Sequence, residues 1–270
     1  AWAATTAKVQ NTASTAGTAT FFTCNGAITS LPAASTFFAH ALGTTGTTET
    51  DLSGNGRTGR RMASASTSTS VACGNDTPAR SITFNGTSQC VYMNSATNTS
   101  QTNPNTFSVE AWFRTSAKSN GKIIGFGNVR NTAADTTYDR HLYLDKDGRI
   151  VFGVYPGAVK LASTAAGTNY ADNAWHHAVG TLSAAGQKLY VDGELVDTNS
   201  GVTTAENTTG YWKVGCGNLS NWQNAATADA GSNNLDYSGP NYFTGQIQYA
   251  AVYTVALTAQ QVKEHYQAGA

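Results

Sequence analysis

The sequence predicts an all-β antiparallel sandwich closed by one short C-terminal helix. Short runs of β-branched and aromatic residues recur at intervals of about ten positions, the rhythm of a sandwich or barrel. Two pairs of these runs meet at Asp-Gly, the strongest short signal for an antiparallel hairpin. A chain of 270 residues, 40% of them hydrophobic, can supply one large β-sandwich with a single core.

Residues 1–35 read as an extended lead-in, with a strand at Thr18–Thr23 and a weaker one at Ala7–Thr12. Asp51-Leu52-Ser53-Gly54-Asn55-Gly56 is a loop of turn formers. Ser81–Phe84, Cys90–Met93, Phe107–Phe113 and Lys122–Phe126 follow as strands. Leu142–Leu144 and Ile150–Val154 flank Asp147-Gly148; Leu189–Val191 and Leu195-Val196 flank Asp192-Gly193. Both pairs are expected to turn through tight type I′ geometry, because Asp-Gly accepts the positive φ angles it demands. Tyr211-Trp212 reads as core. After the strand Ile247–Tyr253, Thr258 and Gln261 form a capping-box pattern, and Val262 with Tyr266 gives the terminal helix an apolar face.

Only 12% of the residues are charged and the formal net charge is zero. Nothing in that balance would neutralise a run of phosphates, so nucleic acid is excluded as a partner. No apolar run is long enough to insert into a bilayer. The opening Ala1-Trp2-Ala3-Ala4, without an initiator Met, matches a chain whose signal peptide has been removed. Thr/Ser/Ala/Asn/Gly richness and four cysteines without metal-type spacing fit an oxidising compartment. The expected location is extracellular, at the cell surface.

Several blocks, taken in order, carry a resemblance. They are Phe84-Asn85-Gly86, Phe107–Phe113, Trp175-His176-His177-Ala178-Val179, Leu189-Tyr190-Val191-Asp192-Gly193, Phe243-Thr244-Gly245-Gln246-Ile247 and Ala256-Leu257-Thr258. Over roughly residues 36–268 the chain resembles laminin-G-like, concanavalin-A-like jelly rolls, nearest to those of secreted and wall-associated actinobacterial proteins. The resemblance implies a two-sheet jelly-roll sandwich over 36–270, preceded by an N-terminal segment, 1–35, tethered by Cys24. Relatives often carry an acidic pair where this chain has Gln248-Tyr249.

Four cysteines allow three pairings. The resemblance implies Cys24–Cys73, since relatives hold a cysteine after the Phe-Thr strand and another before Phe-Asn-Gly. Cys90 and Cys216 are then left as a second pair. It also implies calcium as a candidate ligand at loop rims, where Asp135, Asp139, Asp229 and Asp236 are available, although the sequence supplies no coordination set. Asp145-Lys146-Asp147-Gly148 resembles the opening of a calcium loop, but the hairpin already accounts for Gly148.

No catalytic residue is assigned, and the chain is read as a non-enzyme. A glycoside hydrolase needs two carboxylates facing one cleft. Glu110 is the one acid in its strand, and Glu194 follows a hairpin turn. His176 and His177 are adjacent on a strand, so their rings point to opposite faces and cannot chelate one ion. One is expected to pack on the Trp175 side and the other to hydrogen-bond across the sheet.

Binding is expected in the long segment Asn218–Tyr242, where Trp222 and Tyr237 can stack on sugar rings and Asn224, Asn234 and Asp236 can bond hydroxyls. The alternative is a surface flap packed by its own aromatics. The expected partner is a carbohydrate or an extracellular protein. Residues 1–20 could also pair with a sheet edge, intramolecularly or in a neighbour, and the latter would build a filament by self-association. The function predicted is a cell-surface binding module; the alternative is a structural filament subunit.

Overall fold

A computed structural model describes residues 21–23, 26–28, 35–44, 46–62, 65–74, 79–95, 97–118, 121–222 and 241–270. The strand Ala7–Thr12, the self-association of residues 1–20 and Cys24 lie outside the described residues. In chain order the elements are β1 Phe21–Thr23, β2 Gly26–Ile28, β3 Thr36–His40, β4 Thr48–Glu49, β5 Gly59–Arg61, β6 Ser66–Ser68 and β7 Ser81–Asn85. Then come β8 Val91–Met93, β9 Ser100–Thr102, β10 Phe107–Arg114, β11 Gly121–Gly127, β12 Tyr138–Leu144 and β13 Ile150–Val154. The last are β14 Lys160–Ser163, β15 Trp175–Ser183, β16 Gly186–Val191, β17 Glu194–Asn199, β18 Thr209–Val214, β19 Thr244–Tyr253 and the helix α1 Ala259–Gly269.

Two antiparallel sheets form the sandwich. One runs β17-β16-β15-β10-β19-β7-β6, with β3 also on β19; the other runs β14-β13-β12-β11-β18-β8-β5-β4, with β9 also on β18. Strands β1 and β2 pair separately. Between the sheets lies one core of Phe84, Val109, Phe113, Ile124, Phe126, Leu142, Phe152, Trp212 and their neighbours. The side chains alternate as a pleat requires. On β10, Val109, Ala111 and Phe113 enter this core while Trp112 joins a second apolar cluster, with Val179, Tyr190, Tyr249, Tyr253 and Val262. That cluster lies under α1, which begins with the predicted capping box, Thr258 accepting from the Gln261 N–H. A third cluster, Tyr143, Val151, Leu219 and Trp222, covers the outer face of the other sheet.

The two Asp-Gly hairpins differ. Between β16 and β17, Val191 pairs with Glu194, and Asp192 and Gly193 both take positive φ, the expected two-residue turn. Between β12 and β13 the pairing closes at Leu144 and Ile150, and of the pair only Gly148 has positive φ. This corrects the expected type I′ turn. Asp145 is the physical reason: its carboxylate accepts from the Asp147 and Arg149 N–H groups and from Arg149 Nε at 2.7 Å, which fixes a longer loop. That carboxylate is therefore occupied inside the protein and not free for a calcium ion.

Cys90 and Cys216 form a disulfide with Cα atoms 5.3 Å apart. It joins the residue before β8 to the residues just after β18, where Val91 and Val214 already pair. Cys73 also belongs to a disulfide. Beside it, Gln248 Oε1 accepts from the N–H groups of Ala72 and Cys73, both at 2.8 Å, and its Nε2 donates to the Cys73 carbonyl. An amide at the position of the relatives' acidic pair thus holds the Cys73 segment against the sheet.

Candidate functional site

The acid in the middle of β10 is buried completely. Glu110 Oε1 accepts from His177 Nε2 at 2.8 Å, and Oε2 from His265 Nδ1 at 2.9 Å and from the Tyr253 hydroxyl at 2.5 Å. Burial alone would raise its pKa; the charges and hydrogen bonds of His265 and His177 reverse that and hold it well below the usual carboxylate range. Glu110 is thereby held as an anion, buried away from solvent. His177 is the ring expected to bond across the sheet. His176 points the other way, with Asp192 Oδ2 at 2.8 Å and Asp172 Oδ1 at 3.1 Å.

On the outer face of the β12-β13-β14 region the structure opens a cleft of ≈ 230 Å³. Its lining combines Tyr138, Tyr155, Val159 and Trp222 with Thr136, Thr137, Glu206, Ser220 and Asn221. These come from four separate stretches of chain. Tyr138 opens β12 and donates its hydroxyl hydrogen to the Ser220 carbonyl at 3.2 Å. Tyr155 follows β13 and keeps 37% of its surface exposed. Trp222 is 3% exposed and forms a wall of the cleft more than an open platform. Its ring meets His141 edge-on at 4.5 Å, and its carbonyl accepts from the Tyr143 hydroxyl at 2.6 Å.

Among the described lining residues, Glu206 is the charged side chain. Its backbone is pinned, the N–H donating to Asp139 Oδ2 at 2.6 Å and the carbonyl accepting from Arg140 Nη2 at 2.9 Å. Its half-buried carboxylate has no hydrogen-bond or ion-pair partner among the described residues. Burial pushes its pKa up, the nearby Asp139 adds to this, and Arg140 opposes it. An acceptor held unpaired beside aromatic rings can bind hydroxyl or amine donors.

The other carboxylates near the cleft are spent. Asp135 accepts from Lys213 Nζ at 2.8 and 2.9 Å and from the Val129 N–H. Asp139 accepts from Arg140 Nη1 at 3.0 Å and from three backbone N–H groups, those of Arg140, Tyr155 and Glu206. These two candidate calcium ligands are thus engaged by cations, while Asp229 and Asp236 lie outside the described residues. Among the described residues no group of three or more His, Cys, Asp or Glu is placed to hold a metal. Nearby, burial pulls the Lys122 ammonium down to about 7, helped by the charge of Lys213, and Nζ donates to the Asn218 carbonyl at 2.9 Å.

Of the predicted binding residues, only Trp222 is described, and it lines the cleft; Asn224, Asn234, Asp236 and Tyr237 lie outside the described residues. Sequence reasoning missed Tyr138, Tyr155 and Glu206. The Tyr155-Pro156-Gly157 turn was a local signal for an exposed aromatic at a strand end. Glu206 had none, because its setting is made by residues far away in sequence.

The sequence profile described as the "Concanavalin A-like lectin/glucanases superfamily" (Laminin_G_3) matches residues 84–263, more than half of the chain. The chain belongs to this superfamily. No curated protein sequence matches it. Similar solved structures include domain 4 of AbnA, a GH43 extracellular arabinanase from Geobacillus stearothermophilus, in complex with arabinotriose. That domain aligns with TM-score 0.50 and 16% identity over 86% of this chain and 98% of that one. The botulinum neurotoxin serotype D ligand-binding domain in complex with N-acetylneuraminic acid aligns with TM-score 0.56 and 13% identity, over 87% of this chain and 51% of that one. Trypanosoma rangeli sialidase in complex with sialic acid aligns with TM-score 0.54 and 16% identity, over 93% and 36%. The chain therefore spans about half of the neurotoxin domain and a smaller part of the sialidase. At these identities the likeness shows a shared fold.

Proposed function

We propose that this protein is a non-catalytic carbohydrate-binding module acting outside the cell, and that the Tyr155–Glu206 cleft is its binding site. The observation that carries the reading is the unpartnered Glu206 carboxylate in a cleft walled by Tyr138, Tyr155 and Trp222. A sugar ring offers an apolar face and a rim of hydroxyls; an exposed tyrosine ring accepts the first and an unpaired carboxylate on a pinned backbone the second. Thr136, Thr137, Ser220 and Asn221 add neutral polar groups around the same space. Carbohydrate-complexed neighbours of the same fold, the arabinanase domain among them, support this reading.

The absence of catalysis rests on the state of the acids. Glycoside hydrolysis needs two carboxylates facing the scissile bond. Among the described carboxylates at the cleft, Glu206 is free, whereas Asp135 and Asp139 are neutralised by Lys213 and Arg140. Extracellular location is in keeping with the Cys90–Cys216 disulfide.

The test is binding of the full chain to a panel of immobilised glycans, with reducing-end release assayed in parallel. Saturable binding that disappears in Tyr155→Ala and Glu206→Ala, without sugar release, is the expected result. Binding to no glycan, or binding unaffected by both substitutions, would sink the assignment.

A further inference from the structure

Resting on that reading, we infer that the cleft selects its sugars by charge, accepting uncharged units and rejecting units that carry a carboxylate. Among the described residues, Glu206 is the one ionisable acid of the lining, and no Lys or Arg lines the space. Among the described residues, the cations close beneath it are already committed. Arg140 is fully buried and divides its guanidinium among Asp139, the Pro104 carbonyl and the Glu206 carbonyl. Lys213 is held on both oxygens of Asp135. Lys122 is buried and directed to the Asn218 carbonyl.

A carboxylated sugar entering this space would thus meet a like charge and find no free cation. Moving Arg140 or Lys213 to greet it would strip a buried Asp of its partner, which is among the costlier changes in a protein interior. An uncharged sugar meets the opposite situation. Its hydroxyls can donate to Glu206, and a hydrogen bond to an ionised acceptor is stronger than a neutral one. The half-buried position of Glu206 matters here, since repulsion between charges is screened far less away from bulk water.

The experiment compares matched oligosaccharides that differ only in oxidation at C6, oligogalactosides against oligogalacturonides of equal length, and the same pair built on glucose. Calorimetry on the full chain at neutral pH gives the affinity ratio for each pair. The wild-type protein is expected to prefer the uncharged member by at least about tenfold. Glu206→Gln, which keeps the shape and one acceptor, should shrink the ratio mainly by improving the charged member. Glu206→Lys should invert it. Thermal melts of each variant confirm that the fold is intact. Equal affinity for both members in the wild type would overturn charge selection while leaving the carbohydrate-binding reading standing. A preference for uncharged sugars that Glu206→Gln leaves unchanged would also overturn it, because the discrimination would then come from elsewhere. No binding of any sugar in these series or in the wider glycan panel would remove the reading itself, and the inference with it.

Discussion

The indole of Trp222 lies directly over Gly153: a β-carbon at residue 153 would stand 2.6 Å from the ring and 2.8 Å from the Leu161 side chain. Glycine in the middle of β13 is what lets the cleft wall reach the sheet. Gly153→Ala is expected to push the ring outward, costing about 1–3 kcal/mol from overpacking. Glycan affinity should fall together with stability, and chemical denaturation beside calorimetry would measure both. A variant of wild-type stability with wild-type binding would show that Trp222 does not depend on this contact.

Tyr155 separates binding from stability. It is exposed enough that Tyr155→Ala should change the unfolding free energy by no more than about 0.5 kcal/mol. Tyr155→Phe should retain most of the affinity, since the stacking face survives. Loss of binding in Phe as severe as in Ala would mean that the hydroxyl, and not the ring, makes the contact.

Breaking the buried Glu110 cluster should be far more damaging. Glu110→Ala leaves His177, His265 and Tyr253 without their shared acceptor, at a cost of about 3–5 kcal/mol. The cluster also predicts acid sensitivity. The Glu110 pKa is depressed in the folded state, so its contribution is complete above the ordinary value of 4.5 and is lost as pH falls from there toward the folded value. Melting temperature should therefore drop steeply below pH 4.5, and Glu110→Gln should flatten that slope.

His176 predicts the opposite limb. Burial alone would lower its pKa, but the hydrogen bonds and charges of Asp192 and Asp172 outweigh burial and raise it above 6.5. Its contribution is complete below 6.5 and is lost as pH rises through the folded value. Melting curves between pH 6 and 9 should show a shallow decline at the alkaline end. The decline should disappear in His176→Asn.

The Cys90–Cys216 crosslink closes a sequence separation of 126 residues. Replacing both cysteines by Ala should cost about 2–4 kcal/mol in denaturant, chiefly through a freer unfolded chain.

The fold was legible where the determining signals were local. The Asp192-Gly193 turn, the Thr258–Gln261 cap and the opposed faces of His176 and His177 each follow from a few adjacent residues. The β12–β13 turn was misjudged because Asp145, outside the Asp-Gly pair, captures two backbone N–H groups and enlarges the loop. The site was less legible. Trp222, singled out from its loop, lines the cleft, but Tyr138, Tyr155 and Glu206 reach it only through the pairing of β12 with β13 and the hydrogen bonds of Asp139. No run of sequence contains that information.

Glu110 waits on the last stretch of the chain for its partners: His265 follows it by 155 residues. The central strand β10 is likewise flanked by β15 and β19, both later in the sequence. Residues up to β10 alone therefore hold this acid without the strands that flank it in the folded sheet. A chain truncated before Ala259 would lack His265 and leave the buried Glu110 carboxylate with one donor fewer.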